Sequence, residues 1–518
     1  MRVRSASTLV FSSAAVLAFF VACSGSDLHP APGGDADGGG TGISFEAGGG
    51  TDSGFEAGVA ASITHLSTVC GSTACGIMGI KKSGFQELAD VSFVVKDADG
   101  KPARGVPVKF ELESPPTGTD FLTGTMGAST VVITTDAMGV ATARVESGVT
   151  LGVFTVIATV SPTVQAKSPA IGVRGVTPAN RGFKLQCDLK NLAAYVDPAP
   201  PKALKTNCQV TLIDRFNNPV GKGTTINLKV EAGAIASSVQ STPFNGTGAN
   251  PDEGKASVEF NTVGTFPAVN VAPMAGEFTG GGGNQRDGLV TILAYVAGEE
   301  AFDDNNSNGQ WDAGENFIDQ GEPFVDANDN NQWDAGEFYA DVAPSNGKYD
   351  PPNMVWDKQT TIWTTAYVLY SGEMTNAVAS PSTIDVPLAP GTQAVSISFA
   401  DQRFNPPQSG TATSFAFVSR TAARGSVAGT FDNILDGYGF TVTRALYDAA
   451  NPTVGCSSNV ARCIWLTNFA FPANPYTRGI TATLTGGAAP AAPTSDSLKF
   501  SASVHLTKTE FSFPATFE

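Results

Sequence analysis

The sequence has few of the side chains on which catalysis and nucleic-acid binding usually depend. Its 518 residues include three histidines, and its 31 Lys and Arg face 48 Asp and Glu, for a formal net charge of −17. This acidic balance argues against nucleic acid as a partner. The histidines lie far apart, at His29, His65 and His505, and His505 falls in a strand-like stretch that favours a surface position.

Common catalytic motifs are missing as well. The sequence contains no G-x-S-x-G nucleophile elbow, no H-E-x-x-H zinc motif and no Walker A motif. The glycine run at residues 280–283 is followed by Asn-Gln, so it is interpreted as a loop. We therefore expect that the protein is not an enzyme. An acidic pair of the glycosidase type needs no local motif, which leaves a hydrolase with a C-terminal catalytic domain as the alternative.

The chain also lacks a sustained helical pattern of apolar residues after its N-terminus. Charged residues make up only 15% of it, whereas Gly (57) and Pro (32) are abundant and Thr, Val, Ser and Phe recur in short runs. This composition is typical of an all-β chain with many turns. The length predicts several domains.

The N-terminus has the pattern of an export signal. Arg2 and Arg4 precede an apolar run at residues 9–22, which is shorter than the ~20 residues that a membrane span needs. Residues 20–23, Phe-Val-Ala-Cys, resemble the lipobox of bacterial lipoproteins, with Phe at a position where Leu is usual. The resemblance implies a signal peptide at 1–22 and a lipid on Cys23. An ordinary cleaved signal is the alternative.

A polar segment follows the lipid-bearing cysteine. Residues 23–60 are rich in Gly, Asp and Ser, too polar and flexible to pack, and we interpret them as a disordered tether. More than one acyl chain on Cys23 would anchor the protein stably to a membrane. Ser24 follows the cysteine where Asp would indicate retention, and by resemblance to enteric lipoproteins this favours the outer membrane.

The six remaining cysteines form three local pairs. An exported chain with cysteines arranged in this way favours disulfides, although sequence alone does not fix their connectivity. A metal site is the alternative, but each pair is isolated and a tetrahedral site needs about four ligands. The pairs are Cys70 with Cys75, Cys187 with Cys208, and Cys456 with Cys463.

A twelve-residue acidic pattern occurs twice, 22 residues apart. Positions 1, 3, 5, 7, 9 and 12 are Asp304, Asn306, Asn308, Gln310, Asp312 and Glu315 in the first copy, and Asp326, Asn328, Asn330, Gln332, Asp334 and Glu337 in the second. Both copies have Trp at position 8, and position 6 is Gly309 or Asn331, the residues that best tolerate a left-handed backbone.

This pattern resembles the calcium loop of EF-hand and dockerin-type proteins, in which alternate residues and the position-7 carbonyl supply oxygen ligands. The resemblance implies about two structural calcium ions. A solvated Asp- and Asn-rich loop is the alternative. Residues 346–350 repeat the centre of the loop without its first ligands, so we interpret them as a degenerate copy that is not expected to be fully occupied. Trp311, Trp333, Phe317, Phe324 and Phe338 are expected to form a small aromatic core.

A turn phrase occurs three times, beginning at Asp97, Asp214 and Asp401 and each time ending in Pro. Every copy lies between a β-like run and an alternating strand. Asp, Asn, Gly and Pro are turn-forming residues, and the matching placement indicates a repeated unit.

The first copy continues with T-D-A-M-G-V-A at residues 135–141 and G-V-F-T-V-I-A at 152–158. These motifs resemble the bacterial immunoglobulin-like (Ig-like) repeat of invasins and intimins. The second copy keeps Gly-Lys-Ala at 254–256, and the third keeps the turn but loses the middle signature. The resemblance implies tandem Ig-like β-sandwich domains.

The fold class we predict is therefore all-β, with a calcium-loop insertion in the middle domain. The spacing of the turns, 117 and then 187 residues, places the additional chain in the second unit. The predicted domains are 61–176, 177–374 with an insertion at about 299–357, and a divergent 375–518.

From these features we expect a lipid-anchored protein of the outer membrane or cell surface, structural or adhesive, that binds a protein or glycan. A role in envelope assembly or transport is a further alternative. Arg420, Arg424, Trp465 and Tyr476 of the third domain are conceivable contacts, although packing or solvation explains each of them more simply.

Overall fold

A computed structural model describes most of the chain after the predicted tether. The described residues are 59–123, 127–196, 203–267, 271–273, 279–280, 283–387, 391–408, 410–418, 425–429, 441–456, 462–470, 480–486, 494–504 and 507–517. All of them belong to one compact unit, Phe55–Glu518. None of the helices in these ranges is both long and apolar enough to cross a membrane.

The first domain is a sandwich of two sheets, with strand orders β2-β1-β4-β8-β6 and β3-β11-β9-β5-β7, and with β10 added to β9. Its core lies between the sheets, where Phe93 of β4 meets Phe110 of β5 with ring centroids 5.8 Å apart. The strands are β1 Ser62–Cys70, β2 Thr73–Ala74, β3 Ile77–Gly79, β4 Leu88–Lys96, β5 Pro107–Glu113, β6 Asp120–Phe121, β7 Thr130–Thr134, β8 Val140–Glu146, β9 Gly152–Ser161, β10 Val164–Lys167 and β11 Ile171–Arg174.

The second domain repeats this plan with sheets ordered β12-β14-β18-β16 and β13-β23-β21-β15-β17. Short 3₁₀ turns lie at Ala194–Val196 and Gln285–Gly288. The strands are β12 Lys184–Cys187, β13 Asn191–Leu192, β14 Lys205–Thr211, β15 Thr225–Val230, β16 Ala234–Ile235, β17 Ser238–Gln240, β18 Lys255–Asn261, β19 Thr279–Gly280, β20 Gly283–Asn284, β21 Leu289–Gly298, β22 Phe317–Ile318 and β23 Thr360–Tyr370.

The third domain has sheets ordered β24-β26-β32-β28 and β25-β34-β33-β27, and Phe399 of β26 meets Phe500 of β33 across its core at 5.0 Å. The strands are β24 Met374–Ser380, β25 Ile384–Val386, β26 Thr392–Asp401, β27 Ala412–Phe417, β28 Gly425–Gly429, β29 Thr441–Asp448, β30 Asn451–Gly455, β31 Arg462–Ala470, β32 Ile480–Gly486, β33 Thr494–Val504 and β34 Thr507–Phe517. The prediction of an all-β chain of tandem Ig-like sandwiches is confirmed.

Hydrophobic alternation places the sheet faces as the sequence predicts. Val106 and, within β5, Val108 and Phe110 are buried, and Leu112 packs against the same core from a partly buried position. Side chains two residues apart in a strand point to the same face, so this alternation commits one face of β5 to the interior. Burying each large apolar side chain stabilises the domain by about 1.5–3 kcal/mol.

The three recurring turns have the same hydrogen bonds. The Oδ1 atom of Asp97 accepts from the backbone N–H groups two and four residues later, at 3.0 and 2.9 Å. Asp214 does the same at 2.9 and 2.8 Å, and Asp401 at 2.8 and 2.9 Å. In each domain the carboxylate holds the turn between the same two strands, which explains why Asp begins all three copies.

Two excursions depart from the sandwiches and meet each other. One is the acidic segment between β21 and β23, and the other is the β29-β30-β31 meander between β28 and β32. Strand β22 of the first excursion pairs in parallel with β31 of the second, so that one four-stranded sheet, β22-β31-β29-β30, joins domains two and three. The meander accounts for the divergence of the third domain from the repeat signature.

The turn geometry predicts a difference between two substitutions at the buried Asp214. Asp214→Ala removes the acceptor for two backbone N–H groups and should lower the free energy of unfolding by about 1–3 kcal/mol. Asp214→Asn keeps an acceptor oxygen and should lower it less. Urea titration followed by tryptophan fluorescence measures both, because Trp363 lies in β23 of the same domain. Equal losses in the two variants would contradict the role assigned to Oδ1.

Candidate metal centre

The acidic segment leaves and re-enters one sheet at the same edge. Strands β21 and β23 pair antiparallel along their whole lengths, and Gly298 stands opposite Thr360. The segment between them, residues 299–359, is called the insertion below. Its two ends therefore start side by side, and the path between them depends on contacts within the insertion and with all three domains.

Each twelve-residue loop is closed by the same short antiparallel bridge. In loop 1, residues 304–315, Phe302 pairs with Phe317; in loop 2, residues 326–337, Phe324 pairs with Tyr339. The bridging residues lie two positions before and two after each loop. The two loops are thus equivalent in structure as well as in sequence.

The first and last carboxylates of each loop are held by backbone N–H groups. Asp304 accepts from Asn308 and Gly309 at 3.0 and 2.8 Å, and Glu315 accepts from Asn305 and Asp312 at 2.8 and 3.0 Å. The equivalent contacts in loop 2, made by Asp326 and Glu337, lie between 2.7 and 3.0 Å. Backbone N–H groups therefore hold the first and last carboxylates of each loop in place without help from other side chains.

The side chains at positions 3, 5 and 9 converge on one point. The Nδ2 atoms of Asn306 and Asn308 both lie 2.7 Å from Oδ2 of Asp312. Asn328 and Asn330 approach Asp334 at the same distance. Each loop thus gathers two amides and one carboxylate between its backbone-anchored acids.

The Oδ1 atom of Asn328 is buried and has no hydrogen-bond partner. A buried oxygen without a donor costs about 1–3 kcal/mol, which a bound cation would offset. Calcium accepts amide, carboxylate and carbonyl oxygens together. Among the described residues no three His, Cys, Asp and Glu side chains by themselves form a group that could hold a metal. The loops fit calcium because amide and backbone oxygens would complete the set.

Burial alters the acids of loop 2. It raises the pKa of Asp326 to about 6 against the opposing effect of the N–H donors of Asn331 and Asn330, and it also raises the pKa of Glu337. Hydrogen bonds from Asn328 and Asn330 instead lower the pKa of Asp334. Burial removes part of the hydration of both carboxylates, so keeping the two of them charged in one loop costs free energy unless a cation is present.

Position 6 has the left-handed backbone that the sequence predicts. The φ angle is 82° at Gly309 and 64° at Asn331. A Cβ atom at Gly309 would lie 2.5 Å from the Cβ of Lys82, so glycine is required there for space as well as for conformation.

The aromatic residues of the insertion form two clusters. Trp311 contacts Phe317 and stacks on Trp356, with ring centroids 5.8 and 5.9 Å apart. Trp333 stacks on Tyr349 at 5.0 Å.

The other predicted aromatic residues are divided between these surroundings. Phe324 packs between Tyr349 and Trp363. Phe338, which was expected in a shared core, is 36% exposed and lies under the Lys229 ammonium instead. Phe338 thus covers the surface of its own domain and does not join the aromatic core. The sequence pattern does not distinguish these two roles.

Loop 1 contacts the first domain. The Nζ atom of Lys82 donates to the Ser307 carbonyl at 2.7 Å. Arg215, from the turn of the second domain, donates to the carbonyls of Lys82 and Gly309 at 2.5 and 2.6 Å and to Glu299 at 3.0 Å. One guanidinium thus connects two domains and the insertion.

Loop 2 contacts the third domain. Asn331 accepts from the Thr467 N–H at 2.7 Å and donates to its carbonyl at 2.9 Å, so its amide pairs with β31 as another strand would. Ala179, Ala301, Ile318 and Cys463 form a buried apolar cluster where β22 pairs with β31. The insertion therefore touches both neighbouring domains.

The structure describes some of the other residues that the sequence analysis singles out, and the rest lie outside the described residues. Disulfide bonds join Cys70 to Cys75, Cys187 to Cys208 and Cys456 to Cys463. His65 donates to or accepts from Thr68 on β1 at 3.0 Å. The signal peptide, Cys23, nearly all of the tether, His29, His505, Arg420, Arg424 and Tyr476 lie outside the described residues. Trp465 lies in β31, beneath the guanidinium of Arg444.

The residues that connect domains carry little signal in the sequence. Arg215 is one of several arginines, and Asn331 appears only as a substitute for Gly at position 6. The replacement of Gly by Asn at position 6 was the available signal, because the side-chain amide of Asn can hydrogen-bond to a strand whereas glycine has no side chain to do so.

No protein-family model and no curated protein matches the sequence. Among solved structures, the chain is similar to invasin, a bacterial integrin-binding protein, at 13% identity over 88% of this chain and 60% of that one, with a TM-score of 0.21. It is also similar to the Escherichia coli adhesin FdeC (12%, covering 88% and 96%, TM-score 0.30) and to trypsin-activated alpha-2-macroglobulin from Escherichia coli (9%, covering 89% and 24%, TM-score 0.18). TM-scores this low carry no argument about the function of this chain.

Replacing Asn331 tests the contact with the third domain. Asn331→Gly suits the left-handed backbone and removes both hydrogen bonds to Thr467, so the Thr467 amide should exchange with solvent at least ~10-fold faster, the equivalent of about 1.4 kcal/mol. Hydrogen exchange measured by NMR or mass spectrometry reports this directly. Gln332→Ala in the same loop is the control and should leave the exchange unchanged. Unaltered protection in Asn331→Gly would show that the amide does not couple the domains.

Proposed function

We propose that the protein is an exported, lipid-anchored protein of the envelope or cell surface, structural or adhesive, whose three sandwiches are held together by a calcium-loaded insertion. The observation that carries this proposal is the placement of the insertion. Loop 1 contacts Lys82 of the first domain, and loop 2 contacts Thr467 of the third. A segment that touches both neighbours while belonging to the middle domain limits their relative motion.

Calcium is the cation that this role requires. Within the insertion the described regular structure is limited to β22 and isolated bridges, and exposed acidic loops of this kind repel one another when they carry no cation. A hard divalent cation would neutralise the loop acids and fix them. Affinities of about 0.1–1 mM suit a structural ion in an extracellular module. Asp304, Asn306, Asn308, the Gln310 carbonyl, Asp312 and Glu315 would hold one ion, and the matching residues of loop 2 would hold the other.

The proposed partner is a protein or a glycan bound by the third domain. Strand β30 is the edge of its sheet, and all five of its residues are exposed. An unpaired strand edge can receive an extended peptide as an added strand, which is a common mode of protein recognition. This edge is the surface of the third domain at which we would first look for binding.

The alternative of a hydrolase has one feature to consider. A cavity of about 110 Å³ is lined by Asp319 and Asp326 together with Trp363, Arg444 and Trp465. Both acids accept backbone N–H groups within the insertion, Asp319 from Asn353 and Met354 and Asp326 from Asn330 and Asn331. They are thus already committed to holding the chain, and we favour the structural role.

Removing calcium should loosen the insertion first. With EGTA the melting temperature should fall by several degrees, and limited proteolysis should cut within residues 299–357 before it cuts the sandwiches, because a bound ligand stabilises the folded state by mass action. Calcium in excess of EGTA should restore both values, whereas the same concentration of magnesium should restore less. An unchanged melting temperature and cleavage pattern would contradict the proposal.

The lipid anchor has its own test. Cys23→Ser removes the sulfur that would carry the lipid, so metabolic labelling with palmitate should be lost and the protein should leave the membrane fraction or remain unprocessed. Ser24→Ala should retain the label. Protease shaving of intact cells then reports surface exposure. Membrane association without label in wild type would refute lipidation at Cys23.

A further inference from the structure

The repeat in the insertion is longer than the two loops. Glu300 and Glu322 lie four residues before loops 1 and 2, and Asp319 and Asp341 lie four residues after them. Each pair is separated by the same 22 residues as the loops. The flanking acids are therefore part of the repeated unit, although they fall outside both twelve-residue patterns.

The first set of flanking acids binds a distant part of the chain. Asp319 accepts from the N–H groups of Asn353 and Met354 at 3.2 and 2.8 Å. Glu300 accepts from Gln320 and Asp357 at 2.8 and 2.9 Å. In addition, Nδ2 of Asn353 donates to Asp357 at 2.9 Å. Three separated stretches of the insertion are thus joined by two carboxylates.

The second set does the same around residues 346–350. Asp341 accepts from Asn346 and Gly347 at 3.1 and 2.9 Å, and Nδ2 of Asn346 donates to Asp350 at 2.8 Å. Glu322 accepts from the N–H groups of Val342 and Asp350 at 2.8 and 3.0 Å. The fragment that the sequence presents as degenerate thus receives its first and last acids from outside the pattern.

These contacts match those of loops 1 and 2 at four ligand positions, while the Asn at position 3 has no counterpart. Asp319 and Asp341 act as position 1, Asn353 and Asn346 as position 5, Asp357 and Asp350 as position 9, and Glu300 and Glu322 as position 12. Position 6 is Met354 or Gly347, with φ of 68° and 74°. Methionine rarely adopts this conformation, so the insertion imposes it.

The aromatic rings provide an observation independent of these hydrogen bonds. Trp356 and Tyr349 occupy position 8 of the two discontinuous sets. Trp356 stacks on Trp311 of loop 1 with 20° between the ring planes, and Tyr349 stacks on Trp333 of loop 2 with 18°. Each discontinuous set is therefore packed against one continuous loop through equivalent rings, as two members of a pair.

The two glutamates of the new sets are buried without an ion-pair partner among the described residues. Glu300 is 0% exposed and Glu322 is 6% exposed. Within the described part of the chain no basic side chain forms an ion pair with either of them. A buried carboxylate that two N–H groups orient is costly to keep charged unless a cation lies beside it.

From the repeat, the contacts, the paired rings and the unneutralised buried acids, we infer that the insertion holds two further calcium sites, giving four per chain. The inference rests on the proposed binding of calcium by loops 1 and 2. One site would use Asp319, Asn353, the Val355 carbonyl, Asp357 and Glu300. The other would use Asp341, Asn346, the Lys348 carbonyl, Asp350 and Glu322.

The two kinds of site would have different effects on the insertion. Loops 1 and 2 take all their ligands from twelve consecutive residues, so their ions order the chain locally. The site at Glu300 takes its ligands from the start, the middle and the end of the insertion. Because closing a long loop costs conformational entropy, an ion there would stabilise the overall path of the chain more than its local turns.

The number of bound ions tests the inference. The full chain in detergent is equilibrated with buffered calcium, and bound calcium is measured by metal analysis and native mass spectrometry. We expect four ions in wild type, two in the Glu300→Gln/Glu322→Gln variant and two in the Glu315→Gln/Glu337→Gln variant. Glu111→Gln, at a partly exposed position of β5 in the first domain, is the control and should keep four.

The outcomes separate this inference from the proposed function. Two ions in wild type, unchanged by Glu300→Gln/Glu322→Gln, would overturn the additional sites and leave loops 1 and 2 as proposed. No bound calcium would overturn both. If the buried glutamine variant does not fold, Asp350→Asn/Asp357→Asn at the less buried position 9 replaces it, with the circular dichroism spectrum as the check of folding. A count of four in that folded variant would also overturn the inference.

Discussion

The shape of the insertion depends on glutamate carboxylates that receive two backbone N–H groups from separate places in the chain. Glu315 and Glu337 each close a local loop in this way, and Glu300 links Gln320 to Asp357 across the whole segment. Such hydrogen bonds to charged acceptors contribute about 1.5–3 kcal/mol each, but only while the carboxylate remains charged. Burial opposes the charge. A bound cation would favour the charged carboxylates and so would stabilise a structure built on these contacts.

The sandwiches do not depend on buried carboxylates of this kind. Each has its own apolar core, disulfides join strands or turns, and an Asp-centred turn repeats in all three. The connections between domains are of two kinds. Lys82 with Ser307, and Asn331 with Thr467, are polar contacts made by the insertion. The buried Arg174–Glu253 ion pair joins domains one and two directly, so a change in the ionic state of the insertion would alter one part of the coupling between domains.

The sequence predicted much of this fold because its signals are local. Alternation in β5, the turn phrase at Asp214 and the twelve-residue loops each lie within a short window. The acids Glu300 and Glu322 escaped the pattern because their partners come from the far side of the insertion, and a consecutive motif cannot represent such a set. The fragment at residues 346–350 appeared incomplete for the same reason. A search for the 22-residue period would have included all four flanking acids.

Ring stacking joins each continuous loop of the insertion to one discontinuous set of ligands. Trp311 with Trp356, and Trp333 with Tyr349, bury the rings of one site against those of the next, so that ordering either site removes part of the entropy cost of ordering its neighbour. Binding within a pair would then be cooperative even though the two sites share no ligand. Because loop 1 contacts the first domain and loop 2 contacts the third, ion binding in each pair of sites would affect a different junction between domains. Cooperativity within pairs, rather than across all the sites, is the behaviour that this arrangement favours.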